Sequence, residues 1–473
     1  MQTPSQQRQS RSPVWLAPAF LAILGLAAWA APILAPFPEL TAPEGAIYAG
    51  FLDLDDWVAD PTTADADLVW SVSGDTDLVA RLTSERHLIV QAPNSDWSGH
   101  AVLGLTVCSP AGECATQTLS VRVENVPDDP VIERIPTQVA DLGEPFAPLD
   151  LALFGWDPDG SEGLTWSVAA LELLDARIVG TVLTVTRPAA SSANPTWTGS
   201  EDVLVTLRDP TGRSTTRAVV YAAAERPVAL TFVGNEGFLI QCGGSKVLID
   251  ALMSEGVFLT PNERVRLCGA LPPFDDVDLV LATHAHYDHF DVPYTAQFLA
   301  RSPETVLISL DESIDKLRTR PEFDAISARL TGIPFQPGVR TEFDVAGIRV
   351  IAFAIGHGLG RSNLAFLLEI GGMRILHLGD AATDLAAQEL VAQFDWPSLG
   401  IDVALVPYWW LFDDTRVDRV TVGIAPRFVI PMHFQGACPS PTDIETGSIV
   451  SIALCREFKT WIIPPRNDDP TAP

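Results

Sequence analysis

The sequence predicts a multidomain chain of two all-β sandwich modules followed by an α/β domain. Three observations carry this reading. The chain has 473 residues, about three domains at roughly 150 residues each. Two stretches of its first half repeat one another and alternate apolar with polar residues between Gly/Pro turns, the period of antiparallel strands. After Arg226 the texture changes to short apolar runs interleaved with helical patterns. Hydrophobic residues make up 47% and charged residues 19%, so most of the chain can bury cores and is not a disordered tail. Asp and Glu number 60 against 30 Lys and Arg. A surface this acidic repels phosphate backbones and argues against nucleic acid as the main partner.

Residues 1–38 read as a signal peptide or a membrane anchor. Arg8 and Arg11 precede a run without charge, Val14 to Pro38, the order of an export signal. Ala28-Trp29-Ala30 fits a small-x-small cleavage site. Uncleaved, the run is long enough to span a hydrocarbon core of about 30 Å. Either way the bulk of the chain is expected in the periplasm, outside the cell, or anchored to the outer face of the cytoplasmic membrane. Six cysteines suit an oxidising compartment. Cys108 and Cys114 flank a turn between two strand-like runs and are expected to pair. Spacing does not assign partners to Cys242, Cys268, Cys438 and Cys455, and no CxxC pair suggests a cysteine-based zinc site.

The first module is placed at residues 39–127 and the second at 128–226. Leu68-Val69-Trp70-Ser71-Val72 recurs as Leu164-Thr165-Trp166-Ser167-Val168, and Asp96-Trp97-Ser98-Gly99 recurs as Thr196-Trp197-Thr198-Gly199. Each is followed by two alternating runs around a Pro-x-Gly turn, a pattern that suits a β-sandwich. With the Asn/Asp/Pro-rich link 124–130, these modules resemble bacterial immunoglobulin-like or cadherin-like repeats. The resemblance implies a spacer or an arm that contacts a glycan or a protein. Asp53, Asp55, Asp56, Asp157 and Asp159 raise calcium as a ligand, but no complete calcium-loop spacing is present.

The third domain spans 227–473. Val228–Val233, Phe238–Cys242 and Lys246–Asp250 read as successive strands, with helices expected at Pro293–Arg301 and Ala381–Gln393. The decisive motif is Thr283-His284-Ala285-His286-Tyr287-Asp288-His289-Phe290-Asp291, after the strand Val277–Ala282. In an extended loop His284 and His286 point the same way. Asp288 and His289, at the turn into a helix, can face a second metal. Imidazole and carboxylate both suit zinc. His357, Asp380 and His433 each lie just past the carboxyl end of a predicted strand, where α/β sites are built. His377 precedes Asp380 on its strand and reads as a core or supporting histidine.

Across residues 227–435 the sequence resembles the metallo-β-lactamase fold superfamily, whose His-x-His-x-Asp-His motif matches 284–289 in full. The resemblance implies an αββα sandwich with two metals at one edge. His284, His286 and His357 would hold the first metal, and Asp288, His289 and His433 the second, with Asp380 bridging. Asp380 in place of Cys, and Gly234-Asn235-Glu236-Gly237, look most like the ascorbate-phosphate-lactonase-like group. Two zinc ions (Zn2+) are expected, with manganese or iron also compatible. A hydroxide shared by two metals would attack a carbonyl or phosphoryl centre, with Asp288 as proton acceptor. Arg361, Asn363, Tyr408 and Trp409 are candidate substrate contacts. The expected activity is exported hydrolysis of an ester, lactone, amide or phosphoester in a small-molecule substrate. Alternatives are an envelope phosphodiesterase or phospholipase-like enzyme, or a non-catalytic surface-binding protein with a vestigial metal site.

Overall fold

The structure, a computed structural model, describes residues 31–74, 77–188, 197–254, 259–358, 360–434, 450–454, 456 and 458–466. Residues 1–30 of the expected export segment, and Cys438 and Cys455, lie outside the described residues. Among the described residues no helix is long and apolar enough to cross a membrane. The chain divides into two compact units: residues 1–129 with 157–162, and residues 130–156 with 163–473.

The first unit is built on a four-stranded sheet, in the order Leu40–Pro43, Cys114–Glu124, Gly99–Cys108 and Val69–Gly74, and a three-stranded sheet of Gly50–Asp53, His87–Gln91 and Val79–Leu82. Leu88 and Val90 of the smaller sheet join Leu103, Leu105, Leu119 and Val121 of the larger in one core. Alternation explains this, because every second residue of a strand faces the same way. Ile33–Leu34 pairs with Val58–Ala59, and Phe37 lies 6.0 Å from Trp57. The packed β-structure therefore begins ahead of residue 39, because the end of the uncharged run has strand and aromatic partners. Asp53 caps the turn 54–57 and Asp55 pairs with Arg86, so both have local roles.

The second repeat has the same strand order. Gln138–Asp141, Ser214–Ala224, Gly199–Arg208 and Thr165–Val168 form its larger sheet, and Leu149–Asp150, Val182–Thr186 and Asp175–Val179 its smaller one. Thr106 and Thr116 meet across the first hairpin with their Oγ1 atoms 2.8 Å apart, and Thr206 and Thr216 do the same across the second. The hairpin tips differ. A Cys108–Cys114 disulfide closes the first. In the second, Asp209 accepts hydrogen bonds from Thr211 Oγ1 and from the Gly212 and Arg213 amides. Among the described cysteines, Cys242 and Cys268 are free.

Residues 130–156 and 163–226 of this repeat belong to the same compact unit as the C-terminal part of the chain. The fully buried Glu263 receives two hydrogen bonds from the Arg134 guanidinium. Glu263 also accepts from the Thr260 amide while Thr260 Oγ1 accepts from the Glu263 amide. That reciprocal pair caps the helix Pro261–Cys268. Arg266 donates to the Leu153 carbonyl.

Two seven-stranded sheets dominate the remainder. The first runs Leu330–Ile333, Val306–Leu310, Leu279–Leu281, Ser245–Ile249, Gly237–Cys242, Val228–Gly234, Thr460–Ile462. The second runs Arg340–Val345, Ile348–Gly358, Arg361–Ile370, Met373–His377, Val403–Pro407, Phe428–Met432, Val450–Ser451. Leu230, Ile240 and Leu281 of the first share a core with Val350, Phe366 and Leu405 of the second. Strands buried on both faces read as unbroken apolar runs, which is why these segments lack alternation. Helices cover the first sheet through Leu267, Phe298 and Leu299. The helix expected at Ala381–Gln393 is shorter, Leu385–Ala392, because Asp384 caps it by accepting from the Ala387 amide.

Candidate metal centre

The site is built at strand ends. Leu279–Leu281 delivers the segment 283–290, Met373–His377 delivers Asp380, and Phe428–Met432 delivers His433. His357 lies near the end of Ile348–Gly358. The ligand atoms of His284, His286, His357 and Asp380 fall within 4.8 Å of one another, and so do those of Asp288, His289 and His433. Asp380 faces both groups. Its Oδ2 lies 2.9 Å from His357 Nε2 and 3.6 Å from His284 Nε2. Its Oδ1 lies 3.3 Å from His433 Nε2 and 3.5 Å from His289 Nε2.

These side chains face one another with polar atoms left over. His289 Nε2, His357 Nε2 and Asp380 Oδ1 are buried without hydrogen-bond partners. Such orphans are costly unless something binds them. Imidazole nitrogens and carboxylate oxygens converging in this way fit divalent cations. The residues present therefore suit the metals that the motif implies.

Burial and neighbouring imidazoles hold His284 and His286 below the ordinary histidine range, the neutral form that a ligand needs. Burial would lower His289 too, but its hydrogen bond with Asp250 and the neighbouring carboxylates of Asp288 and Asp380 outweigh that and raise it. Burial alone would raise Asp288 and Asp380. The imidazoles of His289 and His433 beside Asp288, and of His289 and His357 beside Asp380, hold both below the usual carboxylate range.

A supporting layer orients the ligands. Asp250 Oδ2 lies 3.0 Å from His289 Nδ1 and accepts from Thr283 Oγ1, while its Oδ1 accepts from the Thr283 amide. Thr283 Oγ1 is 3.0 Å from His284 Nδ1. Asn235 donates to the Asp288 carbonyl, and its own carbonyl accepts from the His433 amide. Asn235, Asp250 and His433 all have left-handed backbone, at φ 50°, 45° and 66°, a cost of order 1–3 kcal/mol each that clusters at functional sites. Gly379 is left-handed as well, and a Cβ there would lie 2.5 Å from Asn363 Oδ1 and 2.7 Å from Thr283 Cβ.

Asn363 corrects an expectation. It is fully buried; its amide donates to the Leu378 carbonyl and its oxygen accepts from the Asp380 amide. It therefore positions Asp380 and is not a substrate contact. Arg361 is exposed, next to Gly358 across the strand pair. Trp409 is half-buried with its ring 4.8 Å from His433, and Tyr408 stacks on Phe434. Trp410 is core. Both indole N–H groups donate to the Ala381 carbonyl. His377 is a strut: Nε2 donates to the Glu236 carbonyl and Nδ1 accepts from the Gly379 amide. Sequence reasoning missed Asp250, Thr283 and the roles of Asn235 and Glu236. Their one signal was the Gly-Asn-Glu-Gly turn between two strands.

Residues 229–433 match the family described as "Beta-lactamase superfamily domain". This part of the chain has the metallo-β-lactamase fold. Curated relatives of this metallo-β-lactamase domain include a UPF0173 metal-dependent hydrolase of Pyrococcus furiosus, 27% identical over 227 residues, covering 46% of this chain and 89% of that protein. Another is a UPF0173 metal-dependent hydrolase of Pelotomaculum thermopropionicum, 29% identical over 213 residues, covering 44% and 84%. Among solved structures, Igni18, a novel metallo hydrolase from Ignicoccus hospitalis, is 19% identical and covers 51% of this chain and 100% of its own, with a TM-score of 0.37.

Proposed function

We propose that the chain is an exported hydrolase that holds two divalent cations, zinc by default, and cleaves an ester, lactone, amide or phosphoester bond in a small molecule. The observation that carries this reading is Asp380, whose two oxygens face two separate ligand groups. His284, His286 and His357 would hold one cation, and Asp288, His289 and His433 the other. Bound cations would acidify a water and polarise the substrate's oxygen. The remaining work falls to this chain's own residues. Asp288, beside His289 and His433, would accept the nucleophile's proton at a carboxylate oxygen. Asp250 and Asn363 keep His289 and Asp380 aimed. Trp409 and Tyr408 would wall the substrate on the His433 side, and Arg361 would meet it on the His357 side.

Export is supported by the Cys108–Cys114 disulfide and by the uncharged run at residues 14–38. We assign the two β-rich repeats to immunoglobulin-like or cadherin-like sandwich modules that serve as a spacer or as an arm for a glycan or protein. The shared strand order and hairpin threonines support that assignment.

Elemental analysis of purified protein, combined with an ester, lactone and phosphodiester panel, tests the reading. Two ions per chain and metal-dependent cleavage of one bond class are expected. Protein that takes up no transition metal under any loading condition would refute it.

A further inference from the structure

We propose that Glu236 is a direct ligand of the second cation, adding a carboxylate to Asp288, His289, His433 and Asp380. The proposal rests on the two-cation reading above.

Glu236 sits in the turn between Val228–Gly234 and Gly237–Cys242. Its side chain is fully buried, and neither carboxylate oxygen has a hydrogen-bond partner. The nearest imidazole nitrogen, His289 Nδ1, is 3.7 Å away and already faces Asp250 at 3.0 Å. An ionised carboxylate in that state is among the most expensive groups a protein can bury, so Glu236 must either hold a proton or meet a cation. Its neighbours leave few choices. His377 has both ring nitrogens engaged with backbone. Both oxygens of Asp250 are taken by Thr283 and His289.

Asp380 is the other candidate ligand within reach. Ligand atoms of Glu236, His289 and Asp380 lie within 4.8 Å of one another. His289 Nε2 and Asp380 Oδ1, like the Glu236 oxygens, are buried without partners. Unsatisfied acceptors and an imidazole nitrogen converging from three separate turns and loops suit a cation better than a hydrogen-bonded cluster. The turn is also fixed in place, since the Glu236 carbonyl accepts from His377 and the Asn235 carbonyl accepts from His433. A third carboxylate makes the second position harder than the first, which shifts its preference from zinc toward manganese or iron.

The test uses full-length protein stripped of metal and reloaded with Zn(II), Mn(II) or Co(II). Ion stoichiometry and chelator-competition affinities are read for wild type, Glu236→Gln and Glu236→Ala. Wild type should hold two ions. In the variants the first ion should keep its affinity, while the second weakens by more than the roughly 10–100-fold typical of outer partners, most of all for Mn(II). The Co(II) spectrum should intensify at the second position as its coordination number falls, a change that a merely supporting residue would not cause. Melting temperature gives an independent readout. The metal-free variants should melt no lower than metal-free wild type, because an unpaired buried acid has been removed, and the metal-induced rise should shrink. Unchanged second-ion affinity and an unchanged Co(II) spectrum, or variants that fail to fold without metal, overturn the proposal. If wild type holds fewer than two ions, the two-cation reading itself fails.

Discussion

The two ligand groups share Asp380 yet are built differently. The first is three imidazoles, with His286 and His357 reaching toward solvent and little behind them except Thr283. Around Asp288, His289 and His433 the second also has Asp250, Asn235 and Glu236, all buried. A nitrogen-rich, open position beside an oxygen-rich, enclosed one suggests a division of labour. The outer cation would meet the substrate, while the inner one is held for geometry.

Four substitutions would break or sharpen this contrast. Asp380→Ala should do the most damage, because its two oxygens serve both groups: both ions weaken by well over the roughly 100-fold upper range for outer partners, and turnover falls below detection. Retention of either ion at full affinity, measured by chelator competition, would show that the aspartate does not bridge. Next, His286→Ala should abolish hydrolysis and strip one ion while the circular dichroism of the β-rich repeats is kept. Undiminished turnover there would mean that the wrong site was chosen. Asp250→Ala should weaken the second ion by about 10–100-fold and the first by less, since Asp250 reaches His284 only through Thr283. Equal losses at both positions would erase the asymmetry. The smallest effect is expected from Thr283→Val: a few-fold loss, larger at the first position than at the second, read by the same competition assay.

Much of the site could be read from the sequence because its ligands sit in short motifs beside strand ends. The segment 284–289 packs four ligands into one loop, and His357, Asp380 and His433 each follow an apolar run. The supporting layer was hidden for a physical reason. Asp250 ends one strand, and Glu236 occupies a turn far earlier in the chain. Only the sheet order, with Gly237–Cys242 and Leu279–Leu281 flanking Ser245–Ile249, brings them to His289. Asn363 was misjudged because proximity to His357 in sequence says nothing about burial. Residues 361 and 363 share a face of their strand, but Arg361 lies at its exposed end and Asn363 two residues further in, where the strand is buried. In the first half the repeat was visible from Trp70/Trp166 and Trp97/Trp197, while the strand at Ile33–Leu34 was masked by an uncharged run that resembles an export segment.

The ion pair between Arg134 and Glu263 bears on how this protein can be dissected. A fragment cut at residue 227, where sequence texture changes, would take the Arg134 guanidinium from Glu263 and the Leu153 carbonyl from Arg266. Arg134 is itself partly exposed, so the loss is smaller than the roughly 3–5 kcal/mol of a fully enclosed pair, but it still draws on the small margin of an ordinary domain's stability. The smallest piece that should express and crystallise as an autonomous hydrolase therefore starts near Pro130 and carries one of the two repeats with it.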